Sequence, residues 1–374
     1  MKPRIIAIYL PQYHPIPQND EFWGKGFTEW VNVAQARPLF KGHYQPQIPA
    51  DLGFYDLRYP DVREEQARLA KNAGIEGFMY WQYYFGNNRK LLERPFEDVL
   101  ASGNPDFPFC LGWANHSWQT LTWKRDASRA EGKTMIMEQR YDGPQQFIEH
   151  FEYNLPAFKD RRYMTVEGKP IFVIWNPADH SEEIKQMILI WNKLAVENGF
   201  PGIHFVAQEV YKKSNKEILK MGFNAIYQNK ILEAQEKNTS NFLWHFRHAL
   251  IKYLGITTLL DKYDYAKIAS DLITDEAKED NVYPTMLAGY DRTPRAAQKA
   301  IIFYNFTPEV WRKHVRHVLS FVTRKKGENN IVMLKSWNEW GEGNYMEPDR
   351  LYGTQRLDIL KEELESLNKK MDKH

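Results

Sequence analysis

Residues 336–348 (SWNEWGEGNYMEP) hold the side chains best suited to chemistry. The stretch combines carboxylates, indoles and an amide: Trp337, Asn338, Glu339, Trp340, Glu342 and Glu347. A carboxyl group that protonates a leaving oxygen near neutral pH needs a raised pKa, and burial beside apolar indole faces raises it. Indole faces also stack on sugar rings. The stretch therefore predicts a carbohydrate-active site, with Glu339 and Glu342 as the catalytic pair.

Each carboxylate has a structural alternative. Glu339 and Glu342 could be solvated loop residues or ion-pair partners of Lys335 and Arg350. Perturbed carboxylates cluster at functional sites, which favours the catalytic interpretation of this pair. Glu347 directly precedes a proline, and a carboxylate that braces this turn is an equal alternative to a role in binding substrate.

Composition excludes several classes of partner. The chain has 374 residues, 43% of them apolar, and a formal net charge of +2 with both signs interspersed, so no basic surface predicts nucleic-acid binding. The single cysteine, Cys110, lies in an apolar run and is predicted to be a buried, inert thiol. Phosphate-binding glycine loops, paired cysteines and H-E-x-x-H are absent from the sequence, so we expect no cofactor and no metal.

The N-terminal apolar run predicts a strand rather than a targeting segment. Residues 5–10 are followed by PQYHP at 11–15, so the run is too short for a signal peptide. No later stretch reaches membrane-spanning length. The expected location is cytoplasmic.

Short β-branched or aromatic runs alternate with segments of helical period along the chain, which is typical of a parallel sheet. The predicted strands are 5–10, 77–81, 109–113, 171–175, 204–207, 225–227, 285–288 and 331–334. Eight such units predict the α/β class and a single (β/α)8 TIM barrel, in which the loops after the strands converge on one face.

Polar and aromatic residues follow the predicted strands, as a pocket at that face requires. The candidate substrate-binding residues are Tyr13, His14, Trp30, His43, Tyr44, Trp81, Tyr83, Asn115, His116, Trp118, Trp175, Asn176, Gln208, Asp291, Trp337, Asn338, Trp340 and Glu347.

One domain over residues 1–374 is predicted, with loop insertions at 15–59, 115–134 and 230–283. The first insertion is long enough to predict a wall of the substrate site. Its aromatic residues Trp23, Phe27 and Trp30 could instead pack as a small core beneath the loop. In the third, the apolar and basic segment 243–254 predicts a helix that docks on the barrel or, alternatively, makes peripheral contact with a membrane.

Five segments resemble the WbsX-like group of bacterial surface-polysaccharide (O-antigen) biosynthesis proteins, which are related to glycoside hydrolase family 99. They are 9–14 (YLPQYH), 23–30 (WGKGFTEW), 38–46 (PLFKGHYQP), 51–58 (DLGFYDLR) and 337–342 (WNEWGE). The resemblance covers nearly the whole chain, and in the hydrolase relatives it implies (β/α)8 enzymes that cleave α-mannosidic linkages with retention and without metal.

The resemblance also implies a role for each catalytic carboxylate. Glu339 matches the base that deprotonates the sugar 2-hydroxyl, which then closes on the anomeric carbon to form a 1,2-anhydro sugar, and Glu342 matches the general acid and later base. Attack by O2 requires it to lie trans to the leaving group, so the implied partner is an oligo- or polysaccharide with α-manno- or α-rhamno-configured linkages.

Three functions remain open at this point. They are a glycoside hydrolase or transglycosylase, a metal-independent glycosyltransferase of O-antigen or lipopolysaccharide biosynthesis, and a non-catalytic glycan-binding barrel. The sequence carries no signal for oligomeric state.

Overall fold

The computed structural model describes residues 2–119, 134–239, 246, 249–250 and 260–372. Its centre is a sheet of parallel strands that occur in the chain in the predicted order. The barrel strands are Arg4–Tyr9, Gly77–Tyr84, Phe109–Trp113, Lys169–Ile174, His204–Gln208, Ala225–Tyr227, Val282–Tyr283 continued by Thr285–Leu287, and Ile331–Lys335. Parallel strands covered on both faces need continuous apolar runs, which explains their composition.

The seventh barrel strand is interrupted at Pro284, which has no backbone N–H to donate to a neighbour. Its first half pairs with the sixth strand, where Val282 lies opposite Ile226, and its second half pairs with the eighth strand. The eighth strand also pairs with the first. The ring of strands closes around this break, which confirms the predicted (β/α)8 TIM barrel.

Helices surround the strands and also fill the loops at the carboxyl ends. The α-helices of the described residues are Pro17–Trp23, Glu29–Gln35, Pro60–Asn72, Arg94–Ser102, Pro144–Phe158, Ser181–Glu197, Asn215–Leu219, Ile231–Lys237, Tyr265–Asp271, Thr293–Ala296, Pro308–Val322 and Gln355–Met371. Short 3₁₀ turns lie at Asp275–Lys278, Ala297–Lys299 and Trp340–Glu342.

Five short strand pairings decorate the barrel in the described part of the chain. Lys90–Leu91 lies beside the second barrel strand, and Thr165–Val166 beside the fourth. Asp261–Asp264 runs parallel to Ile301–Tyr304 at the rim. The remaining short strands are Trp118–Gln119 with Met135–Met137, and Asn338–Glu339 with Asn344–Tyr345.

The core lies inside the barrel and between the strands and helices. Cys110, on the third barrel strand, is fully buried as predicted, and this burial raises the pKa of its thiol, which disfavours the reactive thiolate.

The first insertion carries its own aromatic cluster. The rings of Trp23 and Phe27 stack with centroids 5.3 Å apart. Trp30 is buried, contacts the rings of Tyr13 and Trp340, and donates from Nε1 to the Tyr55 carbonyl at 2.8 Å. Trp30 thus packs in the main core, whereas Trp23 and Phe27 stack on each other within the insertion.

Within the described part of the chain, no helix is long and apolar enough to cross a membrane. The predicted helix 243–254, with its membrane contact, lies outside the described residues except at 246, 249 and 250, and so does most of the insertion 115–134. The single-domain organisation stays a prediction.

Candidate active site

The chain leaves the eighth barrel strand at Lys335 and forms a small hairpin. Asn338–Glu339 pairs with Asn344–Tyr345, and the 3₁₀ turn Trp340–Glu342 connects them. Gly341 is required at this turn, because a Cβ there would lie 2.0 Å from Oε1 of Glu29. The hairpin therefore brings Glu339 and Glu342 to the barrel mouth beside a buried carboxylate from the first insertion.

Two buried residues attach the hairpin to the loop after the first strand. The Asn338 amide accepts from the Leu10 backbone N–H at 2.8 Å and donates to the Leu10 carbonyl at 3.0 Å. The hydroxyl of Tyr13 donates to the Asn338 carbonyl and accepts from the Trp340 N–H at 3.2 Å. Both side chains hydrogen-bond to the backbone of neighbouring segments, so they position the catalytic candidates from beneath.

Glu347 braces the same hairpin. Its carboxylate accepts from Trp340 Nε1 at 2.6 Å, Gln66 Nε2 at 2.6 Å and the Tyr55 hydroxyl at 2.9 Å. Burial raises the pKa of Glu347 to about 7, although these hydrogen bonds oppose the shift. These contacts match the alternative in which Glu347 braces the turn, and not a role in binding substrate.

Glu347 should make stability depend on pH. Its pKa is raised from 4.5 to about 7 by folding, so its contribution is fully present below pH 4.5 and is lost as pH rises through about 7. In the wild-type protein, Glu347 should lower the free energy of unfolding by on the order of 3 kcal/mol between pH 4.5 and about 7. Glu347→Gln has no group to titrate at this position, so this decrease should be absent from the variant. Urea unfolding of both proteins from pH 4.5 to 8 measures it, and identical pH slopes would contradict the assignment.

Arg295 joins the two catalytic candidates to Glu29. Its guanidinium lies 2.9 Å from Oε1 of Glu342 and 3.5 Å from Oε1 of Glu339. Nε and Nη2 of the same guanidinium donate to the two carboxylate oxygens of Glu29, at 3.1 and 3.0 Å. Arg292 adds a second cation, with Nε 3.4 Å from Oε1 of Glu342. A planar guanidinium in bidentate contact fixes the orientation of the group it holds.

The two catalytic candidates have opposite electrostatic surroundings. Burial, followed by the charge of Glu342, raises the pKa of Glu339 to about 8. Burial also acts on Glu342, but Arg295, Arg292 and Lys335 together outweigh it and lower its pKa to about 2. The pair therefore shares one proton at neutral pH, and in the free protein the three cations beside Glu342 favour its placement on Glu339.

Both carboxylates line a cavity of about 350 Å³ at the barrel mouth. Eight of the residues predicted from the sequence lie on its wall: Trp81, Tyr83, His116, Trp118, Trp175, Gln208, Glu339 and Glu342. Four polar atoms of its lining are buried without a hydrogen-bond partner in the described structure: His116 Nδ1, Asn229 Oδ1, Arg292 Nε and Ser336 Oγ. Indole walls with unused hydrogen-bonding groups suit a hydroxyl-rich ligand.

The other predicted substrate residues lie outside this wall. Five are the buried supports already described, namely Tyr13, Trp30, Asn338, Trp340 and Glu347. Trp337 is fully buried against Phe78. Asn115 donates to the Asn176 carbonyl at 2.9 Å and accepts from its N–H at 2.8 Å, which joins the loops after two neighbouring strands. His14 is buried, and desolvation lowers its pKa to about 4.

His43, Tyr44 and Asp291 line a second cavity, of about 580 Å³, which shares Tyr290 with the first. His43 Nε2 lies 2.7 Å from Oδ2 of Asp291, and its Nδ1 accepts from the Leu39 N–H at 3.0 Å. Both ring nitrogens are thus occupied within the protein. This pair ties the first insertion to the loop after the seventh strand.

Sequence reasoning missed the cations of the site. Arg292, Arg295 and Lys335 line the cavity, as do Ser336 and Tyr227. Lys335 ends the eighth barrel strand and Arg292 directly follows Asp291, so the pattern of polar residues at strand ends could have indicated both. Arg295 and its partner Glu29 carry no such signal, because they lie 266 residues apart.

A (β/α)8 barrel with two carboxylates in an indole-walled cavity has the architecture of a carbohydrate-active enzyme. The profile of the family described as "Glycosyltransferase WbsX" matches residues 5–360. The chain belongs to this family, which places it among carbohydrate-active enzymes.

Two curated relatives match nearly all of this chain. The chain is 32% identical over 365 residues to the proteins WxcX of Xanthomonas campestris pv. campestris strains B100 and ATCC 33913. The alignment covers 96% of this chain but 49% of each relative, so the chain spans about half the length of the curated relatives it matches.

Among solved structures, the fold resembles a GH99 endo-α-mannosidase from Bacteroides thetaiotaomicron, with a TM-score of 0.57, 13% identity and coverage of 99% of this chain and 98% of that one. A "glycoside hydrolase-like protein" also has a TM-score of 0.57, with 16% identity and coverage of 97% and 94%. At this identity the likeness concerns the fold alone.

Proposed function

We propose that the chain acts on α-manno- or α-rhamno-configured linkages of a bacterial polysaccharide and retains the anomeric configuration. The observation that carries the proposal is the Glu339–Glu342 pair, two carboxyl groups that both contact Arg295, share one proton and face an indole-walled cavity. Two carboxyl groups with separated pKa values supply one acid and one base in the same site.

The proposed reaction has two steps. Glu339 takes the proton of the sugar 2-hydroxyl, O2 closes on the anomeric carbon, and the leaving oxygen departs with a proton from Glu342. In the second step Glu342 deprotonates an incoming water or sugar hydroxyl, which opens the 1,2-anhydro ring, and Glu339 returns its proton to O2. Each step transfers two protons and no charge accumulates, which is how paired carboxylates lower the barrier.

Glycan binding must reposition the shared proton in this scheme. The reactive form needs Glu342 protonated and Glu339 ionised, whereas the surroundings in the free protein favour the reverse. The two carboxyl groups titrate as a coupled pair, so a ligand that changes the charge around them can move the proton from one to the other. Substrate binding therefore activates the acid.

A metal-independent glycosyltransferase is the second candidate, and the family description favours it. The same intermediate opened by a sugar hydroxyl instead of water gives transfer rather than hydrolysis. A non-catalytic glycan-binding barrel is the least supported alternative, because binding alone does not require a buried proton-sharing pair.

The test offers the purified protein α-linked manno- and rhamno-oligosaccharides and, separately, sugar nucleotides with an acceptor. We expect consumption of the α-linked oligosaccharides, with the α-configuration retained in the first-formed product by NMR. Chain growth that depends on a sugar nucleotide, without any hydrolysis, would overturn the hydrolase form in favour of the transferase. Consumption of neither substrate would leave the glycan-binding barrel as the better account.

A further inference from the structure

Lys335 is the last residue of the eighth barrel strand and lies on the wall of the catalytic cavity. Its ammonium is 6.0 Å from the ring centroid of Tyr290, the residue that the two cavities share. Among residues 2–119, 134–239 and 260–372, no carboxylate forms an ion pair with it within 4.0 Å. A half-buried cation beside the reacting carboxylates thus has no protein counter-ion in direct contact.

Arg292 also has a donor atom without an acceptor in the described structure. Its Nε approaches Glu342, but at 3.4 Å and without hydrogen-bond geometry, and this buried atom has no hydrogen-bond partner within the described structure. A guanidinium has five N–H donors, and natural sites rarely bury them without an acceptor.

The charges around the cavity do not cancel. Arg292, Arg295 and Lys335 bring three positive charges, while the three carboxyl groups of Glu29, Glu339 and Glu342 bring two negative charges when the catalytic pair shares one proton. One positive charge is therefore left over in a partly enclosed site, where charges interact strongly. A cavity lined by an excess of one sign selects a ligand of the other.

We infer that the catalytic cavity takes a glycan with an anionic group next to the bond that is processed, held by Lys335 and Arg292. This rests on the proposed function for the meaning of that bond. The shared chemistry is a carboxylate or a phosphate, and the two sources are a uronic acid unit and a glycosyl phosphate.

A bound anion would also help the proton to move from Glu339 to Glu342 within the catalytic pair. Lys335 and Arg292 are two of the three cations that keep Glu342 ionised. An anion that pairs with them weakens their hold on Glu342, so the shared proton can pass from Glu339 to Glu342. A neutral sugar would leave both cations directed at Glu342. Charge on the substrate would thus raise the protonated fraction of Glu342 above the fraction that a neutral glycan gives.

Binding without turnover tests the inference. The probes are methyl α-mannoside, the methyl α-glycoside of mannuronic acid and α-mannose 1-phosphate, titrated by the fluorescence of the cavity tryptophans. One charge-assisted hydrogen bond corresponds to a preference of about ten- to hundredfold for a charged probe over the neutral one. Lys335→Met should abolish most of the preference, and Lys335→Arg should keep it. Tighter binding of the mannuronic acid glycoside would indicate a uronic acid unit as the source of the anionic group, and tighter binding of mannose 1-phosphate would indicate a glycosyl phosphate.

Lys262→Met is the matched control, because Lys262 is a lysine of the neighbouring cavity, near the rings of Phe40 and Tyr304. It should leave the preference unchanged. Equal affinity for all three probes, no binding of the charged probes, or a preference that disappears in Lys262→Met instead would overturn the inference. A clear anion preference in a protein that turns over no glycoside would refute the proposed function and leave this binding site standing.

Discussion

Glu342→Gln is expected to lower the turnover of an α-mannoside with a poor leaving group by about 10²–10⁴-fold, the usual contribution of a general acid. Glutamine keeps the shape of the side chain but cannot protonate the departing oxygen. A dinitrophenyl leaving group needs no protonation, so the loss should shrink on that substrate. Steady-state kcat on the two substrates measures the difference.

Glu309→Gln, in an exposed first turn of the helix Pro308–Val322, is the control for the substitution itself and should not change either rate. An unchanged rate for Glu342→Gln on the poor leaving group would reject Glu342 as the acid. Intact folding of the variant is checked by its thermal unfolding.

Glu339→Gln should cause a loss of similar size that persists with the activated leaving group. In the proposed first step, Glu339 removes the proton from the 2-hydroxyl, and a better leaving group does not replace this base. The measurement is the ratio of kcat on the activated and the poor substrate, which should stay close to the wild-type ratio. Full recovery with the activated substrate would argue against a role in ring closure.

The two variants together decide which carboxylate is the acid. The resemblance to WbsX-like proteins assigns the role of acid to Glu342, whereas the cations beside Glu342 favour the shared proton on Glu339 in the free protein. Rescue of Glu342→Gln alone supports a proton transfer on substrate binding. Rescue of Glu339→Gln alone would exchange the roles of the two residues.

Much of the barrel could be predicted because each strand is a compact apolar run between polar segments. The strand Phe109–Trp113 was predicted with its observed bounds. The seventh strand was predicted only as 285–288, because Pro284 separates Val282–Tyr283 from the remainder and proline normally ends a strand. Its pairing with two different neighbours restores continuity, which no local pattern reveals.

The site was predictable only in part, for a physical reason. A tryptophan within a strand or just after it can face the cavity, as Trp81 and Trp175 do, or pack beneath it, as Trp337 does. Residue type does not distinguish the two directions. Long-range ion pairs such as Arg295 with Glu29 arise only when the first insertion folds onto the barrel mouth.

A crystal structure with a bound mannose- or rhamnose-configured imino sugar tests the central claim most directly. The account predicts density for the sugar in the cavity between Glu339 and Glu342, with its ring against the indole walls and its nitrogen near the two carboxylates. An empty cavity with the sugar bound elsewhere, for example in the neighbouring cavity beside His43 and Asp291, would contradict it.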